Sequence, residues 1–263
     1  MGRFCSLFSS SSGNCTYIGA GTTGILIDAG VSTKRIENAL IERGIDPRGI
    51  QAIFVTHSHS DHIQGIRVFG NRYKIPVYAT ATTAKAIEDV NASPLSGMDV
   101  LPKKGPVKVG DLKVEWFPTP HDAPGSVGYV VETPDSRRAA VATDMGFLEN
   151  NVQQILKTCD LVLIESNHDI EMLKNGPYPY PLKTRILGSG GHLSNEACAD
   201  FLPFLAKAGV THFILGHLSA ENNRPKLAEQ TAVDALTHAG FVRGEDYRLS
   251  VAKPVSTDAI IYF

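Results

Sequence analysis

The sequence predicts a mixed α/β fold of the α+β kind, with two β-sheets covered on their outer faces by helices. Three observations lead there. Apolar runs rich in β-branched residues alternate with amphipathic segments through most of the 263 residues, the pattern of strands interleaved with helices. Short runs on either side of Gly110-Asp111 read as hairpin partners, whereas 52–55 and 161–165 are apolar throughout and read as strands buried on both faces. Several apolar runs also end in one His or Asp, which places polar residues along one edge of a sheet.

Taken in chain order, the expected strands are 3–8, 16–19, 24–28, 52–55, 76–79, 107–109, 112–117, 126–132, 139–143, 161–165, 212–215 and 247–251. Expected helices are 33–43, 83–90, 152–157, 194–208 and 226–239. Ser194 stands where a helix would be capped, and Gly209 and Gly240 stand where helices would stop. Pro177, Pro179 and Pro181, with Tyr178 and Tyr180 between them, mark an extended loop. No tandem repeat or Gly/Ser-rich linker divides the chain, so residues 1–263 are expected to form one domain.

Composition narrows the function classes. With 43% hydrophobic residues the chain can bury a sizeable core, and a net charge of −2 provides no global positive field for nucleic acid. A polyanion would have to be held by a local patch or by metal ions. The four cysteines, Cys5, Cys15, Cys159 and Cys198, form no CxxC pair and suit reduced structural thiols in a cytoplasmic protein. No secretory signal or membrane-spanning run is expected; oligomeric state is not legible.

The chemistry concentrates in His57-Ser58-His59-Ser60-Asp61-His62, directly after an apolar strand. Imidazole and carboxylate are ligands for zinc, iron and manganese. An irregular loop can turn successive side chains toward one centre, which a strand with alternating faces cannot. The spacing suggests two ions, with His57 and His59 on one and Asp61 and His62 facing the other. Further ligand types follow downstream strands: His121 after 112–117, Asp144 after 139–143, and His217 after 212–215. Repeated strand-end placement gathers such residues where open sheets place their sites.

The HxHxDH loop followed by His121, Asp144 and His217, with Asp28 upstream in Leu26-Ile27-Asp28-Ala29-Gly30, resembles the metallo-β-lactamase superfamily over essentially the whole chain. Ser11-Ser12-Gly13-Asn14-Cys15, Glu165-Ser166-Asn167-His168-Asp169, Gly191-His192-Leu193-Ser194-Asn195 and Gly216-His217-Leu218-Ser219 are similar to the YycJ/WalJ (VicX) family of bacterial hydrolases. The resemblance implies a four-layer αββα sandwich with two divalent ions, zinc, manganese or iron. His57, His59 and His121 would hold one, Asp61, His62 and His217 the other, and Asp144 would bridge them. Asp28 would orient a ligand imidazole or the loop backbone.

Two metals close together lower the pKa of a shared water and polarise the bond under attack, so hydrolysis by a metal-bridged hydroxide is expected. The ligands alone leave the electrophile open: phosphorus, or the carbonyl carbon of a lactone or thioester. A metal-holding regulatory module without activity is a third reading. By its resemblance to tRNase Z and the cyclic phosphodiesterases, His192 with Glu165 would protonate a leaving alkoxide; together with Asp61 these form the expected catalytic set. The absence of a large insertion between Asp144 and His217 removes the β-CASP nucleases, and the lack of a flavodoxin-like extension argues against the flavo-diiron oxidoreductases. Tyr178, Tyr180, Lys183 and Arg185 form a candidate substrate lip, aromatic faces for bases and cations for phosphates. His168 either lines the cleft or caps a helix beginning near Asp169. The expectation is a phosphodiesterase, a nuclease acting on DNA or a small phosphodiester.

Overall fold

In the first part of the chain, strands form where β-branched and aromatic residues lack helical spacing: β1 (Gly2–Phe8), β2 (Cys15–Ala20) and β3 (Thr23–Ile27) make an antiparallel meander. The computed structural model describes residues 1–90 and 97–263. After β3 the connections become crossovers. Helix α1 (Thr33–Ile41) leads to β4 (Ile50–Phe54), then α2 (Ser60–Ile63) and α3 (Ile66–Tyr73) lead to β5 (Val77–Ala79), and α4 (Ala81–Val90) precedes β6 (Met98–Val100). Strands β3, β4, β5 and β6 are therefore parallel, as crossover connections require. Next come β7 (Val107–Val109) and β8 (Leu112–Pro118), an antiparallel hairpin turning at Gly110 with φ +52°, and β9 (Val127–Glu132). The first half of β8 alternates buried Leu112 and Val114 with exposed Lys113 and Glu115, so one face meets solvent.

The later part begins with β10 (Arg138–Ala142) and continues through α5 (Asn150–Leu156) to β11 (Leu161–Glu165). Helices α6 (Ile170–Asn175), α7 (Tyr180–Leu187) and α8 (Asn195–Lys207) intervene before β12 (His212–Gly216), and α9 (Pro225–His238) before β13 (Arg248–Val251). These strands are parallel in the order β10-β11-β12-β13, with Ala142 beside Ile164, Ile164 beside Leu215 and Leu215 beside Val251. Their carboxyl ends consequently align. The chain then returns to β14 (Ile261–Tyr262), antiparallel to β1.

Two compact units result: one of Met1–Phe117, Ala123–Arg137 and Lys253–Phe263, the other of Pro118–Asp122 and Arg138–Ala252. The first is filled by Leu26, Ile53, Val55 and Val77 from its strands, against Ile36 and Leu40 of α1 and Phe69 of α3. In the second, α8 buries Cys198, Leu202 and Leu205, and α9 buries Ala228, Ala232 and Leu236. All four cysteines are free and buried, and burial pushes every thiol pKa up, which fits the structural role expected of them. No helix among the described residues is long and apolar enough to cross a membrane.

Most expected elements form within a residue or two of their anticipated ends, and Ser194 caps α8 by accepting the Ala197 N–H at 3.1 Å. Four differences stand out. The segment expected as an extended loop contains α7, because Pro179 is its N-cap and Pro181 sits in its first turn, where a missing N–H costs nothing. Helix α3 was hidden by Gly70, a poor helix former that lets the helix approach β5: a Cβ there would lie 3.2 Å from Val77 Cγ2. The histidine-rich segment is irregular only at its start and winds into α2 from Ser60. The short strands β6 and β14 fall below the length at which periodicity speaks.

Tyr129 is buried and donates its hydroxyl to the Val55 carbonyl at 2.7 Å, tying β9 to the end of β4. Tyr129→Phe should cost about 1–3 kcal/mol by leaving that carbonyl unpaired; an unchanged thermal or urea midpoint would show that the bond contributes nothing.

Candidate metal centre

In the first unit the site begins at two neighbouring strand ends. Ile27 of β3 lies beside Phe54 of β4, so Asp28 and Thr56 emerge together. Asp28 is buried and adopts φ +60°. Its carboxylate accepts the Thr56 N–H and the Thr56 hydroxyl, both at 2.8 Å, and lies 2.7 Å from His62 Nδ1. Burial raises the Asp28 pKa, although His62 and Thr56 pull it down.

These bonds set the histidine tautomers. His62 gives its Nδ1 hydrogen to Asp28, leaving the Nε2 lone pair available. Because the Thr56 hydroxyl donates to Asp28, its oxygen accepts from His57 Nδ1 at 3.0 Å. His57 Nε2 is then also a lone-pair donor, and it faces His59 Nδ1 at 3.0 Å. Two imidazole nitrogens about 2.1 Å from one tetrahedral ion would sit ~3.4 Å apart, so the pair suits a shared cation.

Asn14 joins the same cluster. Its Nδ2 lies 3.1 Å from His62 Nε2 and donates to Asp61 Oδ2 at 3.2 Å, so the amide hydrogens meet the atoms expected to face a cation. Its backbone N–H bonds the Asp61 carbonyl at 2.8 Å, and its carbonyl accepts the Gly30 N–H at 2.7 Å. Gly30 must lack a side chain, because a Cβ would overlap the Asp61 carbonyl. Asn14 and Thr56 were not assigned roles from the residues, though Asn14 lies in one of the family-like segments.

The second unit gathers His121, Asp144, Glu165, His192 and His217. Asp144 and His217 each follow a strand end and take left-handed backbone, φ +59° and +55°. One donor atom each from Asp144, Glu165, His192 and His217 lies within 4.8 Å of all the others. Glu165 is fully buried; its Oε1 lies 2.8 Å from His217 Nδ1 and 2.9 Å from His192 Nδ1. Its Oε2 accepts the Met145 N–H at 2.9 Å and the Leu193 N–H at 3.2 Å. Asp144 Oδ1 is 3.3 Å from His217 Nδ1, 3.7 Å from His192 Nδ1 and 3.9 Å from His121 Nε2. His121 points Nδ1 at the Gly191 carbonyl, 3.1 Å away. His121 and His217 thus both keep Nε2 for a ligand bond.

Burial pushes the Glu165 pKa up, but His192 and His217 overcome it and hold the carboxyl at about 2. For His192 burial opposes the charged form, yet the Glu165 carboxylate wins and raises its pKa. His168 is the opposite case: burial lowers it to about 4 and keeps it neutral.

Behind these side chains lies a buried amide network. Asn167 donates to the His217 carbonyl at 2.8 Å, and Asn223 donates to the carbonyls of Ser166 and Asn167, each at 2.9 Å. Asn195 exchanges bonds with Asn223 and accepts the Ser166 hydroxyl at 2.6 Å. Of the expected lip, Tyr180 is 81% exposed at the start of α7 and Tyr178 is half-buried. Lys183 donates to the Lys174 carbonyl at 2.7 Å, and Arg185 pairs with Asp122, the neighbour of His121.

The comparisons with known proteins agree with this chemistry. A family model described as the beta-lactamase superfamily domain matches residues 23–218. The chain is 34% identical over 261 residues to the exodeoxyribonuclease YycJ of Bacillus anthracis, covering 99% of this chain and 98% of that protein. It is 36% identical over 257 residues to the exodeoxyribonuclease WalJ of Streptococcus pneumoniae serotype 2, covering 96% and 94%. The crystal structure of the metallo-beta-lactamase fold protein YhfI from Bacillus subtilis matches with a TM-score of 0.72 at 13% identity, over 97% of this chain and 98% of that one. That likeness shows the expected two-sheet, helix-covered fold.

Asp144 combines a left-handed backbone with a buried carboxylate that raises the Glu165 pKa by repulsion. Asp144→Gly should therefore leave the metal-free protein as stable or up to about 1–2 kcal/mol more stable, while shrinking the thermal shift produced by manganese or zinc. A variant destabilised without metal, or one with the full metal-induced shift, would contradict this.

Proposed function

Since the chain belongs to the beta-lactamase superfamily, we propose that its metal-dependent hydrolysis is directed at DNA, as a cytoplasmic exodeoxyribonuclease. It is a hydrolase acting on phosphodiester bonds, and the near full-length likeness to two exodeoxyribonucleases supports the narrower reading. Neutral imidazoles and carboxylates make a donor set suited to zinc, manganese or iron. His57, His59 and His121 would hold one divalent ion and Asp61, His62 and His217 a second, with Asp144 shared. When bound, such ions supply Lewis acidity and bring the ionisation of water toward neutral pH.

The observation that carries the reading is the His192–Glu165 pair at 2.9 Å. A phosphodiester with an alkoxide leaving group needs a proton as its P–O bond breaks. His192, with Nδ1 held by Glu165 and its pKa raised, keeps a proton on Nε2 for that oxygen. As water oxygen bonds to phosphorus and releases one proton to solvent, the bond to the leaving oxygen breaks and that oxygen takes the His192 proton. Glu165 stays ionised throughout, since its pKa is about 2. Tyr178 and Tyr180 would offer faces for bases, and Lys183 and Arg185 charge for the backbone.

Purified protein with manganese or zinc should degrade a labelled DNA duplex, and His59→Ala should abolish the cleavage; turnover by metal-free His59→Ala would overturn the reading. His192→Ala should slow a natural alkoxide leaving group about 10²–10⁴-fold and bis-p-nitrophenyl phosphate far less. Because the His192 pKa is raised, the wild-type rate on DNA should persist through the ordinary histidine range and fall only as pH rises above it. His192→Ala should lack that descending limb. Equal slowing of both substrates, or an unchanged limb, would remove the assigned role.

A further inference from the structure

We infer that a groove beside the ligand loop is a subsite for the sugar-phosphate backbone of a DNA strand, with Arg67 anchoring a phosphate next to the one cleaved; this rests on the phosphodiesterase reading. The groove has a volume of about 570 Å³ and lies within the first unit, lined by Ser11, Ser12, Ser58, Ser60, Gln64 and Arg67 together with Asp61. Such a volume is typical of ligand sites. Ser58 and Ser60 alternate in sequence with His57, His59 and Asp61. The groove therefore borders the ligand loop, with Asp61 common to both.

Its lining is ordered by the same bonds that order the metal ligands. The turn carrying Ser11 and Ser12 closes through Gly13 N–H to the Ser10 carbonyl at 3.1 Å, and is fastened to the ligand loop by Asn14 N–H to the Asp61 carbonyl at 2.8 Å. The hydroxyls of Ser11, Ser58 and Ser60 make no hydrogen bond among the described residues. Arg67, exposed on α3, likewise makes no ion pair or hydrogen bond among them. Two other arginines of the same unit differ: Arg72 pairs with Glu37 at 2.6 Å and Arg48 with Asp46 at 2.7 Å. Asp61, the only carboxylate lining the groove among the described residues, has Oδ2 engaged by Asn14 and 3.4 Å from His62 Nε2.

An uncommitted guanidinium among donor hydroxyls calls for an anion rich in acceptor oxygens, which is a phosphodiester rather than a neutral sugar or peptide. Val68, 40% exposed beside Arg67, supplies apolar surface for deoxyribose. In a chain of net charge −2, one such local cation weighs heavily on binding.

The test is fluorescence anisotropy of a labelled DNA duplex with chelator-treated protein over a salt series, so that no turnover is needed. Arg67→Ala should raise Kd five- to tenfold and flatten the slope of log K against log salt by about 1. Arg67→Lys should keep the slope, and Arg48→Ala, which removes the same charge elsewhere, should stay within twofold of wild type. An unchanged Kd and slope for Arg67→Ala, or equal weakening by Arg48→Ala, would overturn the inference. Cleavage with manganese separates the two claims. A wild type that cleaves while Arg67→Ala binds normally removes the groove and spares the reading; one that binds as expected but never cleaves does the reverse.

Discussion

Two buried carboxylates hold everything else in place. Asp28 and Glu165 each stand at or just past the end of a parallel strand, and each accepts the Nδ1 hydrogen of a histidine expected to bind metal, His62 and His217 respectively. An unpaired buried charge costs several kcal/mol, so each anion is surrounded by donors. Asp28 takes two bonds from Thr56; Glu165 takes the N–H groups of Met145 and Leu193 and the ring of His192. The chain bears that burial because it fixes imidazole orientation and tautomer before any cation arrives. Different local sequences thus reach the same device in the two units.

Backbone geometry does the second half of the task. In a strand, successive side chains face opposite ways, so a strand running straight on could not aim its last residue back at a cluster. Asp28, Asp144 and His217 solve this with left-handed turns one or two residues past the ends of β3, β10 and β12. For residues other than glycine such turns cost roughly 1–2 kcal/mol each, and three of the five non-glycine residues with positive φ among those described are these. Strain and buried charge therefore concentrate on residues proposed to hold a cation or to orient a histidine that does, where stability and function pull against each other.

What could be read from the sequence follows from which interactions leave a local signature. The hexapeptide 57–62 did, because four ligand-type residues crowd one strand end, and Asp144 and His217 did because each punctuates an apolar run. The strand ends also reported the parallel alignment of β10, β11 and β12. Thr56 left no signature, since its role depends on Asp28, 28 residues away. Asn167, Asn195 and Asn223 were silent for the same reason: each bonds a backbone or amide group brought near only by folding. Helix α7 was misread because prolines that stop a helix in its interior are welcome in its first turn.

Glu165 differs from Asp28 in serving two histidines through one oxygen. Its charge holds His217 Nδ1 and raises the His192 pKa, so under the proposed reading the grip on a cation and the supply of the proton would be set by a single carboxylate. A pKa near 2 keeps that carboxylate ionised over any pH at which the histidines change state. When His192 has given up its Nε2 proton, Glu165 still holds the Nδ1 hydrogen, which preserves the ring's aim and favours recapture of a proton from solvent. The pair is consequently reset without movement of the backbone, while Asn167 keeps the left-handed turn at His217 anchored through its carbonyl. In the proposed reaction, leaving-group protonation and metal retention would in this way be coupled at Glu165, whereas His192, which is not among the expected metal ligands, would carry the proton transfer alone.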